Sequence, residues 1–400
     1  MTGAAPPGSR GTEPRGGNLA RVLDVLRLAG PHTRAELVSR LGLSRATVSS
    51  LLGELQERRL VREVTHPPKP GSGGRPPALV ELEPSAAVAV GIDVGRTHVR
   101  VAVADLALAV LAEDLQPLEV PNHPQETLDL AVAVTQRLLR GLGLTARDVL
   151  GAGIGLPGPI DRSSGQLGSA TILPGWVGLA PGPELAQRLD CPVIVENDAN
   201  LGALAEATLG AGRGSKVLAY VKVAAGVGAG LVVDGRLFRG ASGTAGEIGH
   251  TTLANSGPVC RCGNRGCLEQ LAGASALLAQ MAAAGVELDS VMALLKMATD
   301  GHAGARRVLA DAGGHIGLSV ANLVTLLDAD RVVVGGELGE AHELLVGPLR
   351  YAARSAAVTT AGSQIDIVPA ELGERAEVLG ALALVLREPA SLAAELLARR

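Results

Sequence analysis

The stretch that decides the fold runs from Gly246-Glu247-Ile248-Gly249-His250 to Cys260-Arg261-Cys262-Gly263-Asn264-Arg265-Gly266-Cys267-Leu268-Glu269. It places three thiols and one imidazole close together, the ligand set of a closed tetrahedral zinc site. The glycines let the backbone fold tightly around one ion. Inert buried cysteines are the alternative, but such crowding in an intracellular chain favours a metal. We therefore predict a structural Zn²⁺ held by His250, Cys260, Cys262 and Cys267, with no coordination position left for water.

Two carboxylates flank this predicted metal loop. Glu247 precedes it and Glu269 follows the last cysteine. If one ring nitrogen of His250 binds zinc, the other can donate to a ligand hydroxyl, and the carboxylates can accept. Sugar hydroxyls need such a mixture. The alternative is that Glu247 and Glu269 do not bind a sugar and instead form hydrogen bonds that support the metal ligands.

Upstream, Glu196-Asn197-Asp198-Ala199-Asn200 follows the predicted strand Val193 to Glu196. Polar groups at the carboxyl end of a strand in an α/β sheet are placed to meet a ligand. Asp198 could accept a proton from a substrate hydroxyl, and Asn197 could hold a neighbouring one. Capping of the next helix by these residues explains the pattern at least as well.

Two glycine-containing turns resemble phosphate-binding loops. The first is Asp93-Val94-Gly95-Arg96-Thr97, between the strand runs Val88 to Asp93 and Val99 to Val103, and the second contains Gly226 and Gly228. Glycine lets backbone amides approach a phosphate, but hairpin turns need the same residues. Both interpretations remain open from spacing alone.

The N-terminal segment predicts a winged helix-turn-helix. Apolar periodicity predicts a helix from Asn18 to Ala29, a second capped by Thr33 with Glu36 in a capping box, and a third capped by Ser44. Strands near residues 60–64 and 79–82 would form the wing. The third helix would enter the major groove with its N-terminal end. A small helical bundle for protein contacts is the alternative. The predicted DNA contacts are Ser44, Arg45, Thr47 and Ser49.

Charge favours DNA over a protein partner for this segment. Residues 1–80 hold 12 Lys or Arg against 6 Asp or Glu, whereas the remainder holds 24 against 34. A basic end on an acidic body is typical of a chain that meets a polyanion at that end. Arg75, between Gly74 and Pro76 in the wing loop, is suited to a narrow minor groove, although an incidental arginine in a linker is as good an explanation.

Beyond the wing, strands alternate with helices, which predicts an α/β architecture in two lobes. We expect a disordered tail at 1–17, a winged helix-turn-helix at 18–82, a first lobe at 87–199 and a second lobe with the metal loop at 200–380. A C-terminal helix at about 381–400 is expected to pack back on the first lobe. No apolar run is long enough to span a membrane, and residues 1–17 lack the apolar core of a signal peptide, so a cytoplasmic location is expected.

Taken together, these motifs resemble the ROK family (repressors, open reading frames and kinases), from about Asn18 to about Leu386. The resemblance rests on the winged helix, the Gly-Arg-Pro linker, Asp93-x-Gly95-x-Thr97, Gly155-Leu-Pro-Gly158-Pro159, the Glu196 motif and the two metal-loop motifs. It implies an actin-like, ribonuclease-H-like ATPase fold in dimers or tetramers. The sugar ligands it implies are Asn197, Asp198, Glu247, His250 and Glu269, with Asp198 as the general base of any phosphoryl transfer.

Both phosphate loops depart from the kinase members of the family. Arg96 stands where kinases have a second glycine, and Ala224-Ala225-Gly226 stands where they have Gly-Thr-Gly. Phosphoryl transfer depends on positioning and charge stabilisation, so both changes should impair it. We therefore expect a repressor of sugar metabolism genes, without kinase activity, that binds a palindromic operator and responds to a sugar or sugar phosphate. A sugar kinase with an added DNA-binding domain and a non-enzymatic interaction protein are the alternatives.

Overall fold

The computed structural model describes residues 15–65, 78–162, 164–167, 172–358, 365–387 and 396. The chain divides into two compact units. One contains the described residues up to Val88, residues 105–109 and the described residues from Leu386 onward; the other contains the described residues within 89–104 and 110–385.

Local capping shapes the first unit. The Thr33 hydroxyl accepts a hydrogen bond from the Glu36 backbone N–H, and the Glu36 carboxylate accepts one from the Thr33 backbone N–H, which confirms the predicted capping box. Gly42 ends the second helix in the left-handed conformation at φ 67°, and Ser44 caps the third by accepting from the Thr47 backbone. The helices are α1 (Arg15–Ala29), α2 (Arg34–Leu41) and α3 (Arg45–Glu57).

A small antiparallel sheet completes this unit. Its strands are β1 (His32–Thr33), β2 (Val61–Thr65) and β3 (Ala78–Leu82), in the order β1-β3-β2. β1 was not expected, because two residues are too few to show an alternating pattern; it forms because His32 lies beside Val80. The wing loop with Arg75 lies outside the described residues.

The predicted tail at 1–17 is wrong for its last residues. Helix α1 begins at Arg15, not Asn18. A helix anchored by buried Leu19, Val22 and Leu23 adds further residues easily, because propagation costs far less than nucleation. The earlier residues are outside the described part.

The second unit contains two five-stranded sheets with equivalent strand orders, β6-β5-β4-β7-β8 and β11-β10-β9-β12-β13. Strands β7 and β8 are parallel, as are β9, β12 and β13, whereas β5–β6, β9–β10 and β10–β11 pairs are antiparallel. The sheets therefore repeat one topology. The strands are β4 (Val88–Val94), β5 (His98–Asp105), β6 (Val110–Pro117), β7 (Val149–Leu156), β8 (Val193–Asn197), β9 (Val217–Val223), β10 (Val227–Val233), β11 (Arg236–Leu237), β12 (Arg331–Gly335) and β13 (Asp366–Pro369).

Helices connect and cover these strands, as expected for an α/β architecture. Helices α10 (Ala303–Leu327) and α11 (Glu343–Ala356) pack closely, and the contact at Gly313 and Gly317 of α10 leaves no room for a side chain. The helices are α4 (Pro124–Gly141), α5 (Pro181–Leu189), α6 (Asp198–Leu209), α7 (Glu269–Ala272), α8 (Ala274–Ala283), α9 (Val291–Thr299), α10 (Ala303–Leu327), α11 (Glu343–Ala356) and α12 (Ala376–Arg387).

The last of these helices returns to the first sheet. A Cβ atom at Gly91 of β4 would lie 2.5 Å from the Val378 carbonyl oxygen, and one at Gly153 of β7 would lie 2.4 Å from that of Ala381. Glycine is required at both positions. The helix begins at Ala376 rather than near residue 381, since Glu377 in its first turn is buried and belongs to the packed interface. Beyond Arg387 only residue 396 is described.

Among the described helices, none combines the length and hydropathy that a membrane crossing requires.

Candidate functional site

A cavity of about 1530 Å³ in the second unit collects most of the polar motifs. The β4–β5 turn, the end of β8, the β9–β10 turn, the metal loop and the start of α12 all contribute to its wall. Side chains that the sequence assigned to separate motifs thus meet in one place. The wall includes Asp93, Gly95, Arg96, Thr97, Asn197, Asp198, Gly226, Gly228, Glu247, Arg261 and Glu269.

Asn197 and Asp198 are held tightly at the junction of β8 and α6. Asn197 caps the helix by accepting from the Asn200 backbone at 3.1 Å, and its amide nitrogen donates to the Gly158 carbonyl at 3.0 Å. Asp198 Oδ1 accepts from the Ala199 backbone at 2.8 Å. Capping and cavity lining are therefore combined in the same residues.

Glu196, to which the sequence pattern gave no role, holds the neighbouring residues Asn197 and Asn200 in place through hydrogen bonds. Its buried carboxylate accepts from Arg239 Nε at 2.5 Å, from Asn200 Nδ2 at 2.9 Å and from the Asn197 backbone at 2.9 Å. A carboxylate that accepts three hydrogen bonds, one of them from an arginine, has little freedom to move. Glu196 therefore restricts the positions of Asn197 and Asp198, which follow it in the chain.

Glu247 and Glu269 also line the cavity. Burial, followed by the nearby Asp198 charge, raises the pKa of Glu247 above its usual range. Glu269 packs so closely on the β9–β10 turn that a Cβ at Gly226 would lie 2.2 Å from its Oε2. Several carboxylates in one cavity suit a ligand with several hydroxyl groups.

The four predicted metal ligands converge. His250, Cys260, Cys262 and Cys267 offer ligand atoms that all lie within 4.8 Å of one another. Cys262 Sγ is 3.6 Å from Cys267 Sγ, and Cys260 Sγ is 3.5 Å from His250 Nδ1. A tetrahedron with zinc–sulfur bonds of about 2.3 Å has sulfur–sulfur edges of about 3.8 Å. The donor set and its spacing therefore fit a metal ion of this kind.

Local backbone geometry brings the sulfurs together. The Cys260 backbone N–H donates to the Asn264 carbonyl at 2.7 Å, and Gly263 turns the chain at φ 92°. Gly266 has φ 66°, and a Cβ there would lie 1.7 Å from the Ala254 carbonyl oxygen. Burial raises the pKa of the Cys267 thiol to about 12. A bound cation favours the thiolate form of such a group.

His250 faces both the metal cluster and Glu247. Its Nδ1 is directed at Cys260, while its Nε2 lies 3.8 Å from Glu247 Oε2. Of the five predicted sugar ligands, His250 is the one that the cavity wall of the described residues does not include. Burial lowers the pKa of the ring, which favours the neutral form that binds a metal.

Both candidate phosphate loops are hairpin turns that line the cavity. In the first, Gly95 N–H donates to the His98 carbonyl, and the His98 ring lies directly over Gly95, where a Cβ would come within 2.3 Å of it. His98 Nε2 also bonds Asp93 Oδ2 at 3.0 Å, which raises the pKa of His98 despite its partial burial. In the second, Ala224 N–H donates to the Gly226 carbonyl.

Sequence reasoning missed Lys222 and Glu377, which also line this cavity. Lys222 is a single charged residue within the apolar run of β9, a pattern that could have signalled a function. Glu377 is far away in sequence, so only the fold brings it to the site.

In the first unit, the predicted DNA-contact residues lie at the start of α3. Arg45 and Ser49 are exposed, whereas Thr47 is half-buried. The hydroxyl groups of Ser44 and Thr47 form a hydrogen bond with an oxygen–oxygen distance of 2.8 Å. Of the four predicted contacts, Ser44, Arg45 and Ser49 are therefore exposed to solvent at this helix end.

Comparison with known proteins agrees with this architecture. The sequence model of the ROK family matches residues 89–388, and that of the MarR family matches residues 19–69. The xylose repressor of Bacillus subtilis (strain 168) is 29% identical over 356 residues, covering 89% of this chain and 91% of that protein. The DNA-binding transcriptional dual regulator NagC of Escherichia coli (strain K12) is 31% identical over 383 residues, covering 92% of each.

A solved structure is similar over nearly the full length. It is a ROK family transcriptional regulator described as a homolog of the E. coli MLC protein, with a TM-score of 0.80 and 25% identity, covering 96% of this chain and 98% of that one. The winged helix and the two-lobed α/β unit thus occur together in that regulator.

Proposed function

The chain belongs to the ROK family, and on that premise we propose that it is a transcriptional repressor of sugar metabolism genes whose ROK domain binds a sugar or sugar-derived effector. One observation carries the proposal: a winged helix-turn-helix and a cavity lined by Asn197, Asp198, Glu247 and Glu269 occur in the same chain. The relatives named as xylose and N-acetylglucosamine regulators support it.

The cavity chemistry supports a polyhydroxyl ligand. Asp198 and Glu269 supply hydrogen-bond acceptors, and Arg261 and Lys222 supply charged donors at the same wall. Each sugar hydroxyl both donates and accepts, so mixed donors and acceptors suit it better than a uniformly anionic wall. Of the predicted ligands, His250 would act mainly through the metal and Glu247.

The first phosphate loop supports a sensor without kinase activity. His98 covers Gly95 and bonds Asp93, while Arg96 stands on the cavity wall. A nucleotide phosphate needs close approach to backbone amides, which these side chains obstruct. The second loop lacks the threonine hydroxyl of the kinases at Ala225. An ATP-dependent sugar kinase remains the alternative, since Asp198 retains the position of a general base.

The metal in this proposal is a structural Zn²⁺ held by His250 Nδ1 and the sulfurs of Cys260, Cys262 and Cys267. Bound zinc would supply a closed, rigid crosslink, because all four positions come from the protein. The chain's own residues then do the rest: Glu247 lies beside His250 Nε2, and the metal loop carries Arg261 to the cavity.

Regulation would follow from linkage. A homodimer or homotetramer would present two α3 helices to the half-sites of a palindromic operator. The effector can change DNA affinity only by binding the DNA-bound and free forms unequally. A protein that docks another protein through its winged helix is the second alternative, and it would lack the strong salt dependence of phosphate contacts.

The deciding experiment is a titration of purified, zinc-loaded protein with D-xylose, D-glucose, N-acetyl-D-glucosamine and their phosphate esters. Thermal shift would report binding, and release of a fluorescent DNA fragment from upstream of the protein's own gene would report regulation. We expect one sugar to stabilise the protein and change DNA binding, with no ADP formed from ATP. Formation of ADP with that sugar would establish the kinase instead.

A further inference from the structure

Lys222 links two carboxylates at the wall of the cavity. Its Nζ donates to Asp198 Oδ2 at 2.9 Å and to Glu377 Oε1 at 2.8 Å. The three residues come from β9, α6 and α12, so the lysine joins two consecutive elements to a helix that is distant in sequence. The Glu377 side chain is 8% exposed, that of Asp198 17% and that of Lys222 20%, so the lysine remains accessible from the cavity.

The lysine is charged in this position. Burial by itself would lower the pKa of Lys222, but the Asp198 and Glu377 carboxylates outweigh burial and raise it well above its usual range. Burial raises the pKa of Glu377, against the effect of Lys222. An ammonium group has three N–H donors, and these two carboxylates take two of them.

Asp198 and Lys222 together form an acceptor and a donor side by side. The Asp198 oxygens already receive the Ala199 backbone N–H and the Lys222 ammonium, which fixes the direction of the carboxylate. A sugar hydroxyl placed between them would donate to the carboxylate and accept from the ammonium. An ether or carbonyl oxygen would satisfy only the lysine.

We propose that Lys222 is a specificity-determining residue of the effector site: it donates its third N–H to the ligand hydroxyl that bonds Asp198 and holds Asp198 in place for that bond. Glu377 is a positioning residue that orients the lysine from the buried side. The inference rests on the proposed function, because it requires a polyhydroxyl ligand in the cavity.

The test is a double-mutant cycle between protein and ligand. Isothermal titration would compare wild type and Lys222→Met with D-xylose, D-glucose or N-acetyl-D-glucosamine, whichever binds, and with each monodeoxy form of that sugar. In the wild type, one deoxy position should weaken binding by about tenfold, since a hydrogen bond to a charged group is lost. In Lys222→Met that penalty should fall by about fivefold, whereas the penalties at the other positions should stay unchanged.

Two further variants separate this role from a structural one. Lys222→Met combined with Glu377→Gln avoids a buried unpaired carboxylate and replaces the single variant if that one does not fold. In Lys222→Arg, the loss of affinity caused by removing that hydroxyl should lie between the values for the wild type and Lys222→Met. Lys296→Met, which removes an exposed lysine that pairs with Asp300 one helix turn away, is the matched control and should behave as the wild type.

The outcomes are distinct. Equal penalties in wild type and Lys222→Met at every hydroxyl would overturn the role of Lys222 while leaving the sugar sensor intact. Absence of binding of these sugars and of their phosphate esters to the wild type would reject the proposed function and this inference with it. The inference would be supported if the penalty for removing one hydroxyl fell in Lys222→Met, or in Lys222→Met with Glu377→Gln, and stayed at the wild-type value in Lys296→Met.

Discussion

Arg261 Nη2 donates to Glu269 Oε2 at 2.5 Å, and this ion pair joins the metal cluster to the cavity. Arg261 lies between Cys260 and Cys262, whereas Glu269 begins helix α7 and is 9% exposed in its side chain. The position of a cavity carboxylate therefore depends on a residue whose backbone is set by two metal ligands. This gives a concrete route by which zinc would affect sugar affinity.

Arg261→Met should weaken sugar binding by roughly fivefold without loss of zinc. The expected size corresponds to about 1 kcal/mol for a charge-assisted hydrogen bond in a partly exposed site. Isothermal titration and metal analysis of the same sample would measure both quantities. Arg265→Met is the matched control, because Arg265 lies in the same loop and its guanidinium donates to the Gly257 carbonyl. Equal affinity of the two variants would exclude this coupling.

Cys262→Ser should abolish stoichiometric zinc binding and lower the melting temperature by roughly 5 °C, as expected when a closed metal site worth a few kcal/mol is lost. Cys262 is the exposed cysteine of the cluster, so the substitution disturbs packing least. Metal analysis and thermal denaturation are the measurements. Cys191→Ser, at the buried cysteine outside the cluster, should keep its zinc; zinc retained at wild-type level in Cys262→Ser would show that the cluster is not the site.

His98 should make stability depend on pH through its bond to Asp93. Because the folded protein has the raised His98 pKa, its stabilising contribution is fully present below the unfolded pKa of about 6.5 and is lost as pH rises through the raised value. The melting temperature of wild type should thus exceed that of His98→Asn most near pH 6, and the difference should shrink towards pH 9. In NMR titration, Asp93→Asn should bring the His98 pKa down. A pKa unaffected by Asp93→Asn would argue against the pair.

Arg45→Ala should weaken operator binding about tenfold and reduce the salt dependence by about one counterion if the contact is to phosphate. The residue is exposed at the N-terminal end of α3. Fluorescence anisotropy at several salt concentrations would measure both effects. Arg58→Ala removes the same charge at the opposite end of the helix, roughly 20 Å away, and should have a much smaller effect. If both variants lost affinity equally, α3 would not be inserted end first.

Short-range features were predictable because they depend on neighbours in the chain. The caps at Thr33 and Ser44 follow from side chains that reach a backbone N–H three residues on. The convergence of His250 with the three cysteines follows from tight turns at Gly263 and Gly266. Residues 15–17 were misassigned, since the extension of a helix ahead of its first buried apolar residue, here Leu19, leaves no sign in the pattern.

The sequence by itself determined the winged helix, the α/β class and the clustering of His250 with three cysteines, because each is specified by periodicity, capping or the spacing of nearby residues. Its motifs were also enough to indicate the family. Only the tertiary structure decided which charges pair in the cavity. Lys222 meets Glu377, and His98 covers its own phosphate-loop glycine. Strand order and the return of α12 to the first sheet determine these distances. Such pairings depend on positions in space to within an ångström, which a linear pattern does not encode.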